Sequence, residues 1–176
     1  MMKMMIKISF LLAIIISFSA CGYKSSAKFG RVVLGEKVST SVIISSQDPE
    51  NSVLIKDALD GAVLEVFHSS LTTRKYAQSH LDIYLSKIEY TPVQYDVNGY
   101  IIAYRAVTTL KIIKTRNQKK KTYITQGVYD FSIVANAVMS DKERFDAINL
   151  GALKAIKSFV TKVSAEGAIK REDISR

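Results

Sequence analysis

The chain has 176 residues, a formal net charge of +9 and a hydrophobic fraction of 48%. That length suffices for one domain with a genuine core and is short for two. The single cysteine excludes a disulfide within the chain, so apolar burial must stabilise the fold. The positive charge favours anionic partners such as lipid headgroups, phosphorylated glycolipids or acidic protein surfaces.

The first twenty residues have the pattern of an export signal. Lys3 and Lys7 supply positive charge, residues 8–20 are apolar apart from three serines, and Cys21 follows small residues. A stretch this short is typical of a cleaved signal, because a transmembrane helix needs roughly 20 apolar residues. We therefore expect a lipoprotein signal peptide over residues 1–20 and acylation of Cys21, which would anchor the chain to a membrane. The alternative is an ordinary signal peptide with a fortuitous cysteine.

Two further expectations follow from this signal. The residue after the cysteine, Gly22, is not the Asp that often retains lipoproteins in the inner membrane, which favours the outer membrane. Export also argues against nucleic acid as a partner of this basic chain. Residues 21–35 show little periodicity and predict a lipidated N-terminus followed by a short tether.

A strand and a helix are predicted next. Residues 36–46 are rich in β-branched side chains, which favours a strand. Asp48 and Pro49 then form a helix start signal, since Asp can cap the first turn and Pro fits the first helical position. The helix is expected to end near His68. Its apolar face consists of Ile55, Leu59, Ala62, Val63 and Val66.

From residue 79 to residue 134 the apolar period changes to two, which predicts strands. The phase slips after Leu85, which predicts a β-bulge near Lys87. Asn98 and Gly99 predict a tight turn before a long strand over residues 100–114. The polar residues 115–121 predict a loop, and a further strand is expected over residues 122–134.

The last predicted element is a long helix. Ser140 and Glu143 match the capping-box spacing at its start. Gly167 is expected to end it, which leaves residues 169–176 as a flexible tail. The apolar face of this helix consists of Phe145, Ile148, Ala152, Ile156, Phe159, Val160 and Val163.

These elements predict a single α+β domain over residues 36–168. Its order is β-α-β-β-β-α, and the economical architecture is a two-layer sandwich with two helices on one face of a four-stranded, mainly antiparallel sheet. The other sheet face then requires a cover, and tyrosine is enriched at surfaces that partners bury. The candidate partner interface consists of Tyr84, Tyr100, Tyr104, Tyr123 and Tyr129. The alternative is that tyrosine simply suits β-strands.

The chain resembles the LptE family of lipopolysaccharide-assembly lipoproteins. The resemblance rests on Cys21-Gly22-Tyr23 after the signal, on the order of elements, and on residues 48–57, 94–100 and 129–133, which look like a divergent branch of that family. It implies a subunit that plugs and stabilises the outer-membrane β-barrel LptD and assists lipopolysaccharide insertion into the outer leaflet. The protein would face the periplasm or lie within the barrel lumen.

The predicted loop at residues 115–121 is the candidate ligand site. Arg116, Lys119, Lys120 and Lys121 could contact the phosphates or carboxylates of lipopolysaccharide, since Arg pairs bidentately with such groups and Lys acts as a point charge. The alternative is a solvated turn that keeps the protein soluble and blocks edge pairing.

Catalysis is not expected. His68 and His80 show no spacing with Asp, Glu or Cys that would bind a metal or activate a nucleophile, and no cofactor motif is present. A second, non-enzymatic class is an envelope lipoprotein that binds or activates a periplasmic peptidoglycan synthase. Such a protein would need a long linker across the periplasm, whereas the tether predicted here is short.

Overall fold

The computed structural model describes residues 26–43 and 49–174. The predicted signal peptide, the predicted acylation site Cys21 and the predicted helix cap Asp48 lie outside these residues. Within the two ranges, no helix combines the length and the apolar character needed to cross a bilayer.

Three helices and five strands make up the described chain. In chain order they are α1 (Ser26–Leu34), β1 (Lys37–Ile43), α2 (Pro49–Gly61), β2 (Ser70–Leu71), β3 (Ser79–Tyr95), β4 (Ile101–Arg116), β5 (Lys119–Ser132) and α3 (Asp141–Ile174). Helix α2 continues into a π-helical turn over Ala62–Val66. A short 3-10 turn over Arg74–Tyr76 precedes β3.

The α+β architecture predicted from the sequence is confirmed, with a mixed sheet of five strands in the order β2-β1-β3-β4-β5. Strands β3, β4 and β5 form an antiparallel meander, whereas β1 pairs in parallel with both β2 and β3. The parallel pairing arises because α2 crosses over between β1 and β3 and returns the chain to the end from which β1 started. The sequence predicted four strands, and the additional strand is β2, which has only two residues.

The helices and the sheet share one apolar core. Phe67, Phe159 and Leu110 are fully buried in it, and α1 contributes Val33 and Leu34. The predicted faces of the two longer helices point inward, since Ile55, Leu59 and Val63 of the first and Ile148, Ala152, Ile156, Phe159 and Val163 of the second are buried. The Phe159 ring packs edge-on against those of Phe67 and Tyr123, with centroids 6.4 and 5.3 Å away.

Local turn and cap signals are confirmed. The register between β3 and β4 shifts between Leu85 and Lys87, where the bulge was expected. Gly99 adopts a φ of +84° in the turn between these strands. At the start of α3, the Ser140 amide donates to Glu143 (2.7 Å), and the Glu143 amide donates to the Ser140 hydroxyl (3.2 Å).

The tether predicted over residues 21–35 is wrong from Ser26 to Leu34, because this segment is helix α1. A helix of nine residues is marginal in isolation and is stabilised by what it packs on, so its own sequence gives a weak signal. Helix α1 packs on the end of α3. A Cβ at Gly167 would lie 1.8 Å from the Phe29 carbonyl oxygen.

Two other boundary predictions are wrong. Gly167 does not end the last helix, because it permits the close approach of α1 instead, and α3 continues to Ile174 through most of the predicted tail. The loop predicted over residues 115–121 is a two-residue turn, with φ of +49° at Asn117 and +62° at Gln118. Positive φ at both positions matches the twist of the flanking strands, so the strands extend to Arg116 and resume at Lys119.

Candidate functional site

A basic cleft of about 510 Å³ lies at the turn between β4 and β5. The C-terminal end of α1 and the last turns of α3 form its other walls. Its lining contains six cationic side chains and one carboxylate, that of Glu166. The cations are Lys114, Arg116, Lys119, Lys120, Lys121 and Lys170. Such a concentration of positive charge suits an anionic ligand.

The register of the hairpin explains how the strands place these residues. Lys114 pairs with Lys121, and Arg116 pairs with Lys119. Lys114 has the same alternation as the buried Leu110 and Ile112, so these two pairs lie on the sheet face that carries the helices. Lys120 points to the opposite face and lines the rim of the cleft.

Arg116 fixes α1 to the hairpin. Its guanidinium donates to the carbonyl oxygens of Val32 (2.9 Å) and Val33 (3.0 Å), near the C-terminal end of the helix. These carbonyls have no partner within the helix, and a cation there is favoured by the helix dipole. Arg116 therefore holds the end of α1 in place as one wall of the cleft.

Glu166 is the counterion of the cleft. Its carboxylate accepts hydrogen bonds from Lys121 (2.7 Å) and the Tyr123 hydroxyl (2.6 Å), and Lys170 approaches to 3.0 Å. Burial by itself would raise the pKa of Glu166, but the hydrogen bonds from Lys121, Tyr123 and Lys170 lower it to about 2. The carboxylate is therefore ionised at neutral pH. Burial and the same contact raise the pKa of Tyr123 well above its usual value.

Lys114 is the most buried cation of the cleft, with 5% of its surface exposed. Burial lowers its pKa to about 8, because the attraction of Glu166, 3.9 Å away, offsets the loss of hydration only in part. Its ammonium group donates to the Val33 carbonyl at 3.5 Å, near the limit for a hydrogen bond. A poorly hydrated cation of this kind attracts an entering anion more strongly than a fully solvated one does.

The structure brings all four predicted ligand residues into one cleft and gives them different roles. Arg116 bonds to α1 and Lys121 bonds to Glu166. Lys119, Lys120 and Lys121 are exposed, and Arg116 is partly buried. The sequence interpretation missed Lys114, Glu166 and Lys170. Lys114 had a detectable signal, since it interrupts the apolar phase of β4.

The five candidate tyrosines do not share one surface. Tyr84 lies on the helix-free face, where Lys111 Nζ is 5.8 Å from its ring centroid. Tyr104 and Tyr129 stack on Phe131 on the helix-facing side, with centroids 6.2 and 6.1 Å from it. Tyr100 is exposed next to the turn between β3 and β4.

Tyr123 is buried beneath α3, so the prediction that it contacts a partner is wrong. Strand alternation explains the error, because Tyr123 pairs with the core residue Ile112 and shares its face.

The helix-free sheet face is a mixed apolar and polar surface. Ile124 and Val128 of β5 are 59% and 41% exposed on it. Beside them, Arg105 donates to both carboxylate oxygens of Asp130, at 2.8 and 2.7 Å. This combination of exposed aliphatic side chains and satisfied charges resembles the composition of protein interfaces.

A buried polar cluster joins β1 to β3 on the same face. His80 Nδ1 lies 2.7 Å from Ser39 Oγ, and Nε2 lies 2.9 Å from Asp82 Oδ1. Ser41 donates to Asp82 at 2.6 Å. The sequence interpretation found no orienting acid for His80, and the structure supplies Asp82, two residues along the same strand. Ser39 is buried, and Ser41 Oγ also lies 3.1 Å from His80 Nε2, so the cluster crosslinks the two strands.

Within the described residues, no three His, Cys, Asp or Glu side chains are arranged to hold a metal ion.

The sequence matches no protein-family model and no curated protein. Solved structures do match. A candidate lipoprotein from Caulobacter crescentus CB15 has a TM-score of 0.50 at 9% identity, with 82% of this chain and 96% of that chain covered. Rare lipoprotein B from Shewanella oneidensis has a TM-score of 0.48 at 9% identity, with 80% and 99% covered. A minor lipoprotein from Acinetobacter baumannii has a TM-score of 0.42 at 12% identity, with 74% and 93% covered. At such low identity the likeness concerns the fold alone, and the chain shares that fold with the candidate Caulobacter lipoprotein.

Proposed function

We propose that the protein is an outer-membrane lipoprotein that plugs and stabilises an LptD-type β-barrel and assists lipopolysaccharide insertion into the outer leaflet. The observation that carries the proposal is the basic cleft, where six cationic side chains face one carboxylate. The export signal before Cys21, the resemblance to the LptE family and a fold shared with a candidate lipoprotein support the same conclusion.

The cleft suits the phosphate and carboxylate groups of lipopolysaccharide. Lys119 and Lys120 are exposed and can meet the ligand first, while Lys114 presents a poorly hydrated charge deeper in the cleft. Arg116 bonds to α1 and Lys121 bonds to Glu166 of α3, so these two residues keep the helices that line the cleft in place. The residues therefore bind an anionic group without any chemical step, and the proposal assigns the protein no catalytic activity.

The helix-free sheet face is the proposed contact with the barrel. A plug must cover a sheet against the barrel wall, and Ile124 and Val128 supply exposed apolar area there. The short segment between Cys21 and α1 also favours a partner in the membrane. Helix α1 starts only five residues after Cys21, which suits a partner in the membrane better than a peptidoglycan synthase across the periplasm.

The test is affinity purification of the tagged, acylated protein from detergent-solubilised outer membranes, followed by mass spectrometry. We expect stoichiometric recovery of a large β-barrel with the natural protein. The double variant Ile124→Glu and Val128→Glu should lose the barrel, because it places charge on the proposed contact. The matched control is Val97→Glu and Val138→Glu, which alters two exposed valines on loops outside that face.

Recovery of a peptidoglycan synthase, or of no partner, would overturn the barrel proposal. Equal loss of the barrel in both double variants would remove the helix-free face from it. A Cys21→Ala variant tests the anchor separately and should be recovered in the soluble periplasmic fraction.

A further inference from the structure

The cleft lies at the end of the domain to which the lipid anchor is attached. Ser26 begins α1 only five residues after Cys21. Five residues span at most about 18 Å, and a helix of nine residues is about 13 Å long. Val33, near the end of that helix, lines the cleft.

Helix α1 is held firmly at this end. Arg116 bonds to its last carbonyls, and Gly167 allows the Phe29 backbone to rest on α3. The acylated residue therefore lies within about 30 Å of the cleft along the chain. Contour length makes this bound independent of the conformation of residues 21–25.

The opposite end of the sheet lies farther from the start of α1 than the cleft does. Strand β4 has 16 residues and is about 50 Å long. It separates the turn at Asn117 and Gln118 from the turn at Asn98 and Gly99. The cleft end is therefore the one nearer to the point where the chain from Cys21 enters α1.

The charge of the cleft suits a membrane leaflet. Lipid headgroups carry phosphate, and clusters of lysine and arginine next to a membrane anchor are attracted to anionic leaflets. Glu166 is the resident anion of the cleft, because it accepts contacts from Lys121, Lys170 and Tyr123. An incoming phosphate would compete with Glu166 for the same cations.

We propose that the cleft faces the leaflet that holds the Cys21 acyl chains and binds the phosphate headgroup of an anionic lipid there, which fixes the orientation of the domain on the membrane. This inference rests on the lipid anchor of the proposed function and is independent of the barrel. The shared ligand chemistry is a membrane-embedded phosphate ester, supplied by a glycerophospholipid or by the lipid A part of lipopolysaccharide.

The experiment measures which end of the acylated, full-length protein lies on a membrane. Because Cys21 is the single cysteine and its thiol is blocked by acylation, a new cysteine can be labelled selectively with a fluorophore. Gln118→Cys reports the cleft end and Asn98→Cys the opposite end. Each labelled protein is reconstituted into vesicles that contain a headgroup-linked quencher, made of phosphatidylcholine alone, with phosphatidylglycerol, or with lipid A.

We expect quenching of the Gln118 label to be at least three-fold greater in anionic vesicles than in phosphatidylcholine, and the Asn98 label to stay weakly quenched throughout. A response to phosphatidylglycerol would identify a glycerophospholipid ligand, and a response to lipid A alone would identify the glycolipid. Equal quenching of the Gln118 label in neutral and anionic vesicles would overturn the proposal, as would stronger quenching of the Asn98 label.

Charge variants test the cleft itself. Lys119→Glu with Lys120→Glu should return the Gln118 signal to its level in neutral vesicles, whereas Glu166→Gln should increase it, because the resident anion is removed. The matched control, Lys87→Glu with Lys142→Glu, reverses two exposed lysines away from the cleft and should keep the anionic response. Circular dichroism checks folding in each case. If the control loses the anionic quenching response as completely as the cleft variant does, the assignment of lipid binding to the cleft is overturned. Recovery of the barrel is a separate measurement that tests the proposed function.

Discussion

Among single residues, Lys114 combines a cost in stability with a proposed role in binding. Its ammonium group lies at a core-facing position of β4, and burial lowers its pKa to about 8. The folded state thus disfavours the charged form that an anionic ligand needs. A charge kept in such a place is typical of a binding site, where function and stability conflict.

Lys114→Met should raise the free energy of unfolding at pH 7 by about 1–3 kcal/mol, because the desolvated charge is removed and Glu166 keeps its other partners. The pKa of Lys114 is lower in the folded state than its usual 10.5. The natural protein should therefore become more stable as the pH rises from 8 to 10, and the variant should not. Urea unfolding across this range measures both. Lys157→Met, at an exposed position of α3, is the control and should leave the pH dependence intact.

Glu166 should dominate the response to acid. Its pKa is lowered from 4.5 to about 2 in the folded state, so it contributes stability above pH 4.5 that is lost as the pH falls towards 2. Glu166→Gln should flatten this part of the curve and reduce stability at pH 7. Thermal unfolding between pH 2 and pH 6 measures the effect. A natural protein whose loss of stability in that range equals that of the variant would contradict the assignment.

At the scale of elements, α3 protects the outer edge of the sheet. Lys154 donates to the Val128 carbonyl (2.7 Å), Ser158 to that of Gln126 (3.2 Å) and Lys162 to that of Ile124 (2.6 Å). Four residues of helix rise about 6 Å and two residues of strand about 6.7 Å, so the two spacings match over these turns. Carbonyls that could otherwise recruit another strand are thus occupied.

The triple variant Lys154→Ala, Ser158→Ala and Lys162→Ala should expose this edge and promote self-association with little loss of secondary structure. Light scattering and size-exclusion chromatography at increasing concentration measure the effect. The control replaces Lys142, Thr161 and Lys157 by Ala, which likewise removes two ammonium groups and one hydroxyl from α3 without touching β5. Similar self-association of both variants would show that lost surface charge, rather than the open edge, is responsible.

For the molecule as a whole, the position of α1 connects the proposed lipid anchor to the cleft. Two glycines allow it to pack closely, since a Cβ at Gly30 would clash with the Phe67 ring and one at Gly167 with the Phe29 carbonyl. The second clash involves backbone on both sides, so neither helix can relax by a rotamer change. These contacts and the hydrogen bonds from Arg116 together hold α1 in one position on the domain.

Gly167→Ala should lower the free energy of unfolding by about 1–3 kcal/mol through overpacking and should loosen α1 from α3. Gly61→Ala is the control, because a Cβ there meets no atom within 4 Å. It should be neutral or stabilise the protein by about 0.5–1 kcal/mol, the usual gain for Ala over Gly in a helix. Thermal unfolding compares the two, and equal effects would contradict the proposed packing role of Gly167.

Features that depend on neighbours in the chain were predictable from the sequence. The bulge at Lys87, the turn at Gly99 and the capping box at Ser140 were predicted because each is set by a few adjacent residues. The basic character of the hairpin was likewise visible. Periodicity also identified the apolar faces of the two longer helices, since burial on one side requires that spacing.

Features that depend on contacts between distant parts of the chain could be seen only in the folded protein. Helix α1 is too short to be stable alone, so its existence depends on α3, more than a hundred residues away in the sequence. The cleft, the role of Glu166 and the burial of Tyr123 arise where strands and helices from different parts of the chain meet. Hydration and charge at such a place depend on every wall of the cleft, and no single segment of sequence contains that information.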